Sequence, residues 1–598
     1  MNLNNNMDGV EFSTVVSTVR ELDNEPPPDA APFKIAFLRN ITLDPLVPYL
    51  KYLCYQAGLK PDVYMADFDV IMPEAMNPDS GLCKEKRDLI VVAVRLEGLS
   101  EALSKRFASL SDSEVTEAAD QAVKFMEGVI GSLRKNSRAT ILVHSFETPA
   151  YPAFGIIDTQ SGGRQAGTIR KINSRLADLA ERAGNCFLVD LNTVMARLGY
   201  DNFSDKRMWQ IAKMPYTRAA LKEIAVEYAK FIRAVRGKNK KCLVLDCDNI
   251  LWGGIVGEDG LENIKLGSTY PGSCYRDFQS VILNFYHRGV ILAICSKNNE
   301  NDVLEVLDSH PETVLRRKHF ASMRINWQDK ATNIRVIAEE LNIGADSLVF
   351  VDDSEMEIGL VNAMLPEVHT LLLSGDASGY ADLLAGCGLF DTVVRSEEDR
   401  RRGEMYGAEA ERKKFRSSTG DIAQYLSSLE MKIKIARADD YSMPRIVQLI
   451  QRTNQFNLTT KRHSESEIAR FAGSANHDVL FLQYSDRFGD MGIVGVAIME
   501  HGDEVTDMDS FLLSCRVLGR KVEDAFLAEC LRACENRGRK AVSGTYIPTA
   551  KNAQVADFYE KRGFTKKEER GDATIFEVDL TKGFFTPPDI FKTVEVDI

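Results

Sequence analysis

Short apolar runs alternate with longer amphipathic stretches through the first two thirds of this chain. In the first part, the apolar runs predict strands at residues 34–38, 61–65, 89–93, 140–144 and 186–190. Apolar residues at helical spacing predict helices at 45–56, 113–132, 167–183 and 218–236. Strands that alternate with helices are typical of a parallel sheet covered by helices. The pattern predicts an α/β domain over residues 33–237, preceded in residues 1–32 by a polar arm or a short amphipathic helix with a linker.

The same alternation starts again at residue 238 and predicts a second parallel α/β domain over residues 238–395. Its predicted strands are 242–245, 290–295, 320–327 and 347–351, and its predicted helices include 301–309 and 330–341. The first of these strands, CLVL, is apolar throughout, as expected of a strand that is covered on both faces. We therefore place it in the interior of the second sheet.

The pattern changes in the last third of the chain. Residues 396–426 are dense in charges of both signs, which predicts a solvated linker helix. Residues 427–580 mix strands and helices without strict alternation, which predicts an α+β domain, and residues 581–598 form a tail. The predicted strands are 431–436, 478–484, 492–499, 505–514, 541–546 and 573–579, and the predicted helices are 444–453, 464–472, 521–537 and 552–563.

Composition narrows the class of protein. A length of 598 residues suits three to four domains, and a formal net charge of −13 argues against general binding to nucleic acid or to a membrane surface. The 11 cysteines have no zinc-like spacing, which favours a reducing compartment. Neither a signal peptide nor an apolar run of membrane-spanning length is visible, so we expect a cytoplasmic protein.

Polar side chains follow the predicted strands of the second domain. Asp246 and Asp248 follow the first strand, Ser296 follows the second, Asp352-Asp353 follow the last, and Lys330 begins a helix. The carboxyl ends of parallel strands share one edge, so we expect these groups to meet. Carboxylates suit Mg²⁺, while a hydroxyl and an ammonium group suit a phosphate. The sequence therefore predicts a site for a divalent cation and a phosphoryl group.

Taken in order, these signals resemble the haloacid dehalogenase (HAD) phosphotransferases. The resemblance implies that Asp246 attacks phosphorus and that Asp248 protonates the leaving oxygen and then activates water. It implies phosphate binding by Ser296, Lys297 and Lys330. It also implies Mg²⁺ as the cofactor, and the metal ligands implied are Asp246, Asp248, Asp352 and Asp353.

In more detail, the sequences of four segments of this domain are similar to those of the FkbH-like branch of these proteins. The carrying segments read LDCDNILWGGIVGEDG, ICSKNN, INWQDKATNIRVIAEELNIG and FVDDS. The resemblance implies transfer of a glyceryl unit from 1,3-bisphosphoglycerate to the phosphopantetheine thiol of an acyl carrier protein, with dephosphorylation, for polyketide-type metabolism. Two residues depart from the pattern, since Ile250 replaces a usual threonine and Ser354 a common asparagine. Ile250 removes a hydroxyl that could brace the Asp248 loop, so we expect weaker turnover.

Cys247, between the two aspartates, has two interpretations. A thiol beside a phosphate site could attack the mixed anhydride and hold the acyl group, which makes Cys247 a candidate acyl acceptor. In a regular strand, however, Cys247 points away from the aspartate face and fills space behind the site. Cys295 and Cys515 are alternative thiols. The sequence leaves the choice open.

The first domain resembles the SGNH-hydrolase-like domains. The first predicted strand and the stretch from Asp201 to Trp209 carry this resemblance. An active esterase of this kind needs a Gly-Asp-Ser block after the first strand and an Asp-x-x-His near the end. Here those places hold Leu38-Arg39-Asn40 and an aspartate, Asp205, followed three residues later by Met208. Without nucleophile or base, we predict a domain for docking or recognition.

The last domain resembles the GNAT acyltransferases. The resemblance rests on RVLGRK, which opens a helix at residue 516, and on NAQVADFYEKRGF from residue 552. It implies contact with the carrier protein or its pantetheine arm, because a helix N-terminus suits a pyrophosphate. Tyr559 matches a tyrosine that faces the thiol sulfur, although helix packing explains it equally well. The implied contact residues are Arg516, Gly519, Arg520, Asn552 and Tyr559.

Three functions are compatible with the sequence. The first is an FkbH-like glyceryl transferase and phosphatase that uses all three domains, with Mg²⁺ and a phosphorylated three-carbon substrate. The second is a HAD phosphatase of another small phosphorylated metabolite, with the GNAT-like domain as a binding module. The third is a scaffold without catalysis, which the presence of Asp246, Asp248, Ser296, Lys330, Asp352 and Asp353 argues against.

Overall fold

A computed structural model describes residues 7, 9–160, 163–393, 412, 415, 422–549 and 551–598. The chain forms two compact units, residues 1–236 and residues 237–598. This division lies beside the predicted boundary at 237/238. The second unit contains two separate sheets, which correspond to the predicted second and third domains. None of the described helices is long and apolar enough to cross a membrane.

The first unit is built on a five-stranded parallel sheet in the order β2-β1-β3-β4-β5. Apolar side chains from both faces of this sheet form two buried layers beneath the helices. All five predicted strands are present. They are β1 (Ala31–Arg39), β2 (Leu59–Met65), β3 (Leu89–Ala93), β4 (Thr140–His144) and β5 (Cys186–Val189). The helices are Phe12–Asn24, Val47–Gln56, Ile71–Met76, Leu96–Leu99, Glu101–Lys105, Asp112–Asn136, Gln165–Ala183, Leu191–Leu198, Tyr200–Phe203, Lys206–Ala212 and Arg218–Val235.

The predicted N-terminal arm, residues 1–32, is in part a packed helix. Val15 and Val19 of helix Phe12–Asn24 are buried in the core of the first unit. The ring of Phe12 lies 5.1 Å from that of Tyr49, and Lys51 Nζ lies 2.7 Å from Asp23 Oδ2. The amphipathic-helix alternative is therefore the one that the structure shows, and this helix belongs to the first unit.

The second unit begins with a five-stranded parallel sheet in the order β10-β9-β6-β7-β8. β6 lies in its centre, as its continuous apolar sequence predicts. The strands are β6 (Cys242–Leu245), β7 (Ile291–Ser296), β8 (Phe320–Ile325), β9 (Leu348–Asp352) and β10 (His369–Leu372). The helices are Val256–Asp259, Gly272–His287, Glu300–Ser309, Lys330–Leu341, Glu355–Met364 and Tyr380–Gly386.

An eight-stranded mixed sheet completes the second unit, in the order β16-β17-β15-β14-β13-β12-β11-β18. Within this sheet the described pairs β14–β15 and β11–β18 are parallel and the other neighbouring strands are antiparallel, so the class is α+β as predicted. The strands are β11 (Lys432–Arg437), β12 (His477–Asp486), β13 (Gly489–His501), β14 (Val505–Leu513), β15 (Ala541–Tyr546), β16 (Thr565–Arg570), β17 (Ala573–Asp579) and β18 (Thr593–Asp597). The α-helices are Ile422–Ser428, Met443–Arg452, Glu465–Ala472 and Val522–Asn536.

One prediction for the C-terminal part is wrong, and two strands there were not predicted. The predicted helix at 552–563 is two short 3₁₀ turns, Ala553–Val555 and Glu560–Arg562, closed by i→i+3 hydrogen bonds. The sequence analysis missed the exposed strand β16. The predicted tail contributes β18, which pairs with β11 and so extends the sheet by one strand.

The predicted linker helix at 396–426 lies largely outside the described residues. Arg412 is described, and it is almost fully buried rather than solvated. Its Nε and Nη2 donate to the two carboxylate oxygens of Asp486, each at 2.7 Å. A bidentate pair of this kind is strong and directional. At this position the chain is therefore fixed to the C-terminal domain.

Candidate active site

A tight turn follows β6 at the carboxyl edge of the second sheet. The backbone N–H of Leu251 donates to the carbonyl of Cys247 at 2.7 Å, and Asn249 adopts a left-handed conformation with φ of 56°. Asparagine tolerates this conformation better than most residues do. The side-chain oxygen of Asn249 accepts a hydrogen bond from the Gly254 N–H at 2.9 Å. The turn thus holds Asp246 and Asp248 at the edge of the sheet.

Lys330 joins the predicted nucleophile Asp246 to the predicted metal ligand Asp352. Its Nζ lies 2.8 Å from Asp246 Oδ2 and 2.5 Å from Asp352 Oδ2. Asp246 follows β6, Asp352 ends the neighbouring β9, and Lys330 begins helix Lys330–Leu341. All three side chains are almost inaccessible to solvent. The fold therefore brings together three residues that are far apart in the sequence.

Carboxylates outnumber the ammonium group of Lys330 at this edge of the second sheet. Ligand oxygens of Asp246, Asp352 and Asp353 all lie within 4.8 Å of one another. Asp246 Oδ1 is buried and has no hydrogen-bond partner among the residues that the structure describes. A buried carboxylate oxygen without a partner is costly, and hard oxygen ligands in a cluster suit Mg²⁺. The residues present therefore fit a divalent cation.

The titration of the group reflects the same excess of negative charge. Burial, together with the charge of Asp246, raises the pKa of Asp352 to about 6 in spite of Lys330. Burial and Asp246 also raise the pKa of Asp353. Burial alone would lower the pKa of Lys330, but Asp246 and Asp352 outweigh it and leave that pKa above its ordinary value. One ammonium group does not neutralise the whole cluster, whereas a bound cation would.

Asp248 is held by three donors. Its Oδ1 accepts from Trp252 Nε1 at 2.8 Å and from the Val256 N–H at 3.1 Å, and its Oδ2 accepts from Asn298 Nδ2 at 2.8 Å. Burial raises the pKa of Asp248, which favours its protonated form. These contacts place its side chain outside the group of three carboxylates, so the predicted side-chain ligation of a metal by Asp248 is not supported.

The predicted phosphate-binding residues have different environments. Ser296, at the end of β7, is almost fully buried on the strand next to β6. Lys297 instead forms an ion pair with Glu357, with 2.6 Å between Nζ and Oε1. Its ammonium group must leave Glu357, or share it, in order to bind a phosphate. Lys330 is therefore the cation that the structure places directly against Asp246.

Cys247 is buried beside the site, and its thiol forms a hydrogen bond with Ser296. Its side chain is inaccessible to solvent within the apolar layer that contains Leu245 and Trp252. Burial raises the pKa of the Cys247 thiol well above its ordinary value, and the Asp246 carboxylate adds to this effect. The packing alternative therefore describes its environment. Cys295 is equally buried, and burial raises its pKa also.

The sequence analysis missed three residues that support the site. Trp252 and Asn298 bind the Asp248 carboxylate, and Asn249 both closes the turn and lowers the pKa of Asp353 by a side-chain hydrogen bond. All three lie within two of the four segments that carry the FkbH-like resemblance, LDCDNILWGGIVGEDG and ICSKNN. Each of them carries an amide or indole N–H group close in sequence to a predicted catalytic or phosphate-binding residue. Such a group can donate a hydrogen bond that orients a catalytic side chain, and this could have identified them.

Two of the predicted carrier-binding residues are buried in the C-terminal domain. Asn552 is inaccessible, and its amide group spans the carbonyls of Asn457 and Ile547 at 3.0 and 2.9 Å. Tyr559 packs against Phe564 and Gly544 with 1% of its surface exposed, and burial raises its pKa. Both residues stabilise the domain interior, so their predicted contact with a pantetheine arm is wrong in this conformation.

The segment RVLGRK also differs from the prediction. Arg520 is buried, with its guanidinium group 5.2 Å from the ring centroid of Tyr484. Gly519 has φ of 77°, and helix Val522–Asn536 carries Glu523 and Asp524 in its first turn. Carboxylates there compete with an anionic ligand for the helix N-terminus. Pyrophosphate binding by Gly519 and Arg520 is therefore not supported, whereas Arg516 borders an open cavity.

The carboxyl edge of the first sheet carries an ion-pair network instead of an esterase site. Asn40, which follows β1, accepts from the Arg95 N–H at 2.8 Å. Arg95 approaches Glu97 at 3.6 Å and Glu147 at 3.9 Å, and Lys105 lies 2.7 Å from Glu97. These contacts occupy the place where a nucleophile would stand.

Comparison with known proteins adds a family and a structural relative. Residues 34–232 match the family model described as FkbH, N-terminal domain. The chain is also similar to the N-terminal part of the protein BF1531 from Bacteroides fragilis, which contains a phosphatase domain and was crystallised with Mg. The identity is 26%, the match covers 63% of this chain and 98% of that one, and the TM-score is 0.58. The predicted resemblance and the α/β class are thereby confirmed. No curated protein matches the chain.

Smaller solved proteins match a quarter of the chain. The ribosomal-protein-S18-alanine N-acetyltransferase from Escherichia coli is 17% identical, with 25% of this chain and 94% of that chain covered and a TM-score of 0.21. An acetyltransferase of the GNAT family from Staphylococcus aureus is 12% identical over 25% of this chain and 99% of that one, with a TM-score of 0.21.

Proposed function

We propose that this chain is an FkbH-like enzyme of the HAD phosphatase type and that it removes phosphate from a small phosphorylated three-carbon acyl substrate. In the full proposal it takes a glyceryl unit from 1,3-bisphosphoglycerate and loads it onto an acyl carrier protein of polyketide-type metabolism. The observation that carries the phosphatase part is the excess of carboxylates around Lys330, with Asp246 Oδ1 buried and without a partner among the described residues. A structural ion pair would not need this excess.

Asp246, Asp352 and Asp353 would hold the Mg²⁺ ion, together with a backbone carbonyl of the Cys247–Asp248 turn. When bound, Mg²⁺ offsets the repulsion between a carboxylate nucleophile and the phosphate. The same cation is named for the similar Bacteroides fragilis protein. Lys330 then adds a second positive charge beside Asp246 and fixes the orientation of that carboxylate.

The protein residues divide the chemistry between two carboxylates. Asp246 attacks phosphorus, and the bond between phosphorus and the leaving oxygen breaks. Asp248 donates a proton to that oxygen from its acid form, which burial favours by raising the pKa of this carboxyl group. The resulting Asp248 carboxylate removes a proton from the water that hydrolyses the phosphoaspartate. Ser296 and Lys330 stabilise the charge on the phosphoryl oxygens.

The glyceryl-loading part rests on the family resemblance and on the presence of the C-terminal α+β domain. A second function stays in competition with it. The buried Cys247 and Cys295 thiols favour a phosphatase of another small metabolite, because a thiol without solvent access cannot meet an acyl phosphate unless the site opens.

The test combines phosphate release with intact-mass spectrometry. The full chain is incubated with 1,3-bisphosphoglycerate and Mg²⁺, with and without a carrier protein that bears phosphopantetheine. We expect phosphate release, a cysteine-linked adduct and transfer of the glyceryl group to the carrier. Release without adduct or transfer would favour the second function.

Asp246→Asn is the decisive variant in this assay. It should abolish phosphate release, because an amide is not a nucleophile at phosphorus. Asp308→Asn is the matched control, since Asp308 lies half exposed on a helix of the same domain and pairs with Arg317. Unchanged release by the Asp246 variant would contradict the assignment of the site.

A further inference from the structure

A histidine and an aspartate of the C-terminal domain form a pair at an irregular point of its sheet. β14 and β15 are paired from Val505 to Met508, and beside Met508 the register between β13 and β14 shifts, so that Asp509 is an extra residue in β14. Beyond this point residues 456–458 lie between the two strands, since Leu458 bonds to β14 and to the segment after β15. An extra residue of this kind re-aims a side chain and is frequent beside an active site.

The residues that follow this insertion have a strained backbone. Thr460 has φ of 51°, a conformation that β-branched residues rarely adopt. It is held there because its N–H donates to Asn457 Oδ1 at 2.8 Å. The preceding Thr459 donates from Oγ1 to the Asp509 carbonyl at 3.0 Å. Strain of this kind is concentrated at functional sites, and here it brings the next residues of the chain onto Asp509.

Two of these next residues bind the Asp509 carboxylate. His463 Nε2 lies 2.6 Å from Asp509 Oδ2, and Lys461 forms an ion pair with Oδ1. The side chain of His463 is 15% exposed and that of Asp509 is 17% exposed. Burial alone would raise the pKa of Asp509, but His463 and Lys461 outweigh it and leave that pKa below its ordinary value. Asp509 is therefore an ionised carboxylate that fixes the orientation of the imidazole ring.

The other ring nitrogen of His463 is free. Because Lys461 balances the charge of Asp509, a neutral imidazole suits the pair, with its proton on Nε2 and its lone pair on Nδ1. Nδ1 has no hydrogen-bond partner among the residues that the structure describes. The ring of Phe471 packs perpendicular to the imidazole, with 5.2 Å between the centroids. An imidazole that is fixed by a carboxylate at one nitrogen and open at the other has the arrangement of a general base.

A second His–Asp pair in the same domain shows what a purely structural pair looks like. His501 Nε2 lies 3.0 Å from Asp478 Oδ2, but its Nδ1 is bound to Thr506 Oγ1 at 2.9 Å. Only 1% of the His501 side chain is exposed. Both of its nitrogens are occupied, so it has no lone pair to offer to a ligand. His463 differs from it in the free nitrogen and in the exposed part of the ring.

We propose that His463 is the base that takes the proton from the thiol of an acyl acceptor. The thiol proton passes to Nδ1, the sulfur attacks the carbonyl carbon of an acyl donor, and a C–S bond forms. The bond between that carbon and the leaving group of the donor breaks. The leaving group departs with the electron pair and receives the proton from His463. Asp509 holds the ring in place and stabilises the imidazolium between the two proton transfers.

The acidity of possible acceptors favours a thiol. An imidazole has an ordinary pKa of about 6.5 and a thiol one of about 8.5, whereas an alkyl ammonium group has about 10.4. An imidazole therefore exchanges a proton with a thiol at a smaller cost than with an ammonium group. That this thiol belongs to the pantetheine arm of a carrier protein rests on the proposed function, whereas the geometry of His463 does not.

The first experiment tests the free nitrogen alone. Diethyl pyrocarbonate modifies neutral imidazoles at an accessible nitrogen. The full chain is treated with it at pH 7, and the modification of each histidine peptide is followed by mass spectrometry. His463 should react at least several-fold faster than His501, which is the matched control in the same domain. Equal protection of the two histidines would overturn the assignment of a free nitrogen to His463.

The second experiment measures acyl exchange without the phosphatase reaction. The full chain is incubated in EDTA with the glyceryl thioester of N-acetylcysteamine as donor and pantetheine as acceptor, and uncatalysed exchange is subtracted. His463→Gln should slow exchange about 10²-fold at pH 7, because the base is lost while an amide can still donate to Asp509. Between pH 7 and pH 9 the variant should approach the wild-type rate, since the thiolate then forms without a base.

Two further variants separate chemistry from folding. His477→Gln is the matched control and should exchange at the wild-type rate, since His477 also packs against Phe471 but is bound to Ser474 Oγ. Asp509→Asn should lower kcat and leave KM for pantetheine unchanged, because Asp509 acts on the orientation of the base and not on the acceptor. A raised KM with unchanged kcat would show that Asp509 only shapes the surface.

The outcomes distinguish this inference from the proposed function. Equal rates for the wild type and the His463 variant at pH 7 would overturn the base and leave the proposed function intact. Absence of exchange by the wild type would overturn both this role and the glyceryl-loading part. The phosphatase part is untouched by either result, because the assay contains neither Mg²⁺ nor a phosphate ester.

Discussion

The carboxyl edges of the two parallel sheets differ in their balance of charge. At the edge of the first sheet, Arg95 and Lys105 pair with the half-buried Glu97 and Glu147, and the exposed Glu101 approaches Lys105 at 3.9 Å. At the edge of the second sheet, Lys330 alone faces three carboxylates, and one oxygen of Asp246 is left without a partner among the described residues.

The difference separates a structural edge from a reactive one. Paired charges satisfy one another and need no ligand, whereas buried carboxylates in excess of their counter-ion favour uptake of a proton or binding of a cation. Both sheets place polar residues at their carboxyl edges, so the fold alone does not distinguish them. The charge that remains after internal pairing does.

The largest expected effect follows from removal of the counter-ion at the second edge. Lys330→Met leaves Asp246 and Asp352 buried without their cation, which should destabilise the domain by about 3–5 kcal/mol. It should also slow phosphate release by about 10³-fold, since charge stabilisation at phosphorus is lost.

Lys105→Met at the first edge is the control and should change stability by less than about 1 kcal/mol, because Lys105 is half exposed. Chemical denaturation and a phosphate assay measure both effects, and equal losses in the two variants would remove the distinction between the edges.

Asp248, the proposed proton donor at the second edge, provides the next test. Asp248→Asn should slow phosphate release by about 10²-fold, because the leaving oxygen no longer receives a proton. In the wild type, release should fall as pH rises through the raised pKa of Asp248, where the acid form is lost. The variant should lack this decline, while its binding of Mg²⁺ persists. Parallel pH profiles for the two proteins would rule out Asp248 as the acid.

A buried histidine gives the first edge its own pH dependence. His144, at the end of β4, contacts the Tyr228 hydroxyl, and burial lowers the pKa of His144 to about 3. The unfolded chain takes up this proton near pH 6.5, so the free energy of unfolding decreases as pH falls from about 6.5 towards 3. Near pH 5 the titration of His144 changes the free energy of unfolding by about 1.4 kcal/mol per pH unit.

His144→Gln should remove this contribution to the first unit. Hydrogen exchange of the β4 amides in the full chain, compared between pH 6 and pH 4.5, isolates the unit from the rest of the protein. Tyr228→Phe keeps the histidine and is the matched control, which should retain the pH dependence. The same slope in the wild type and in the His144 variant would show that His144 does not titrate as a buried group.

The smallest expected effect concerns Ile250, which replaces a threonine usual in FkbH-like proteins. Its side chain is inaccessible, and Asp248 already accepts three hydrogen bonds from other residues. Ile250→Thr should therefore cost about 1–2 kcal/mol of stability, from a buried hydroxyl, without raising kcat. A clear rise in kcat would show that the missing hydroxyl limits turnover, as the sequence analysis expected.

The sequence predicted those features that local chemistry dictates. Apolar runs located the five strands of the first sheet and four of the five in the second, but not β10. Polar residues at the strand ends correctly placed Asp246 and Asp352 at the same edge. Burial of Asn552 and Tyr559 was not predictable, because a residue on the inner face of a turn and one in a ligand site have the same local pattern. The anchoring of Arg412 by Asp486 depends on a contact between residues 74 positions apart, which periodicity does not encode.

A titration of the full chain with Mg²⁺ tests most directly whether the carboxyl edge of the second sheet binds a cation and that of the first sheet does not. Calorimetry should show one Mg²⁺ site that Asp352→Asn or Asp353→Asn weakens strongly. Glu147→Gln, at the first edge, should leave the binding unchanged. Absence of binding by the wild type, or binding unaffected by the aspartate variants, would contradict the account.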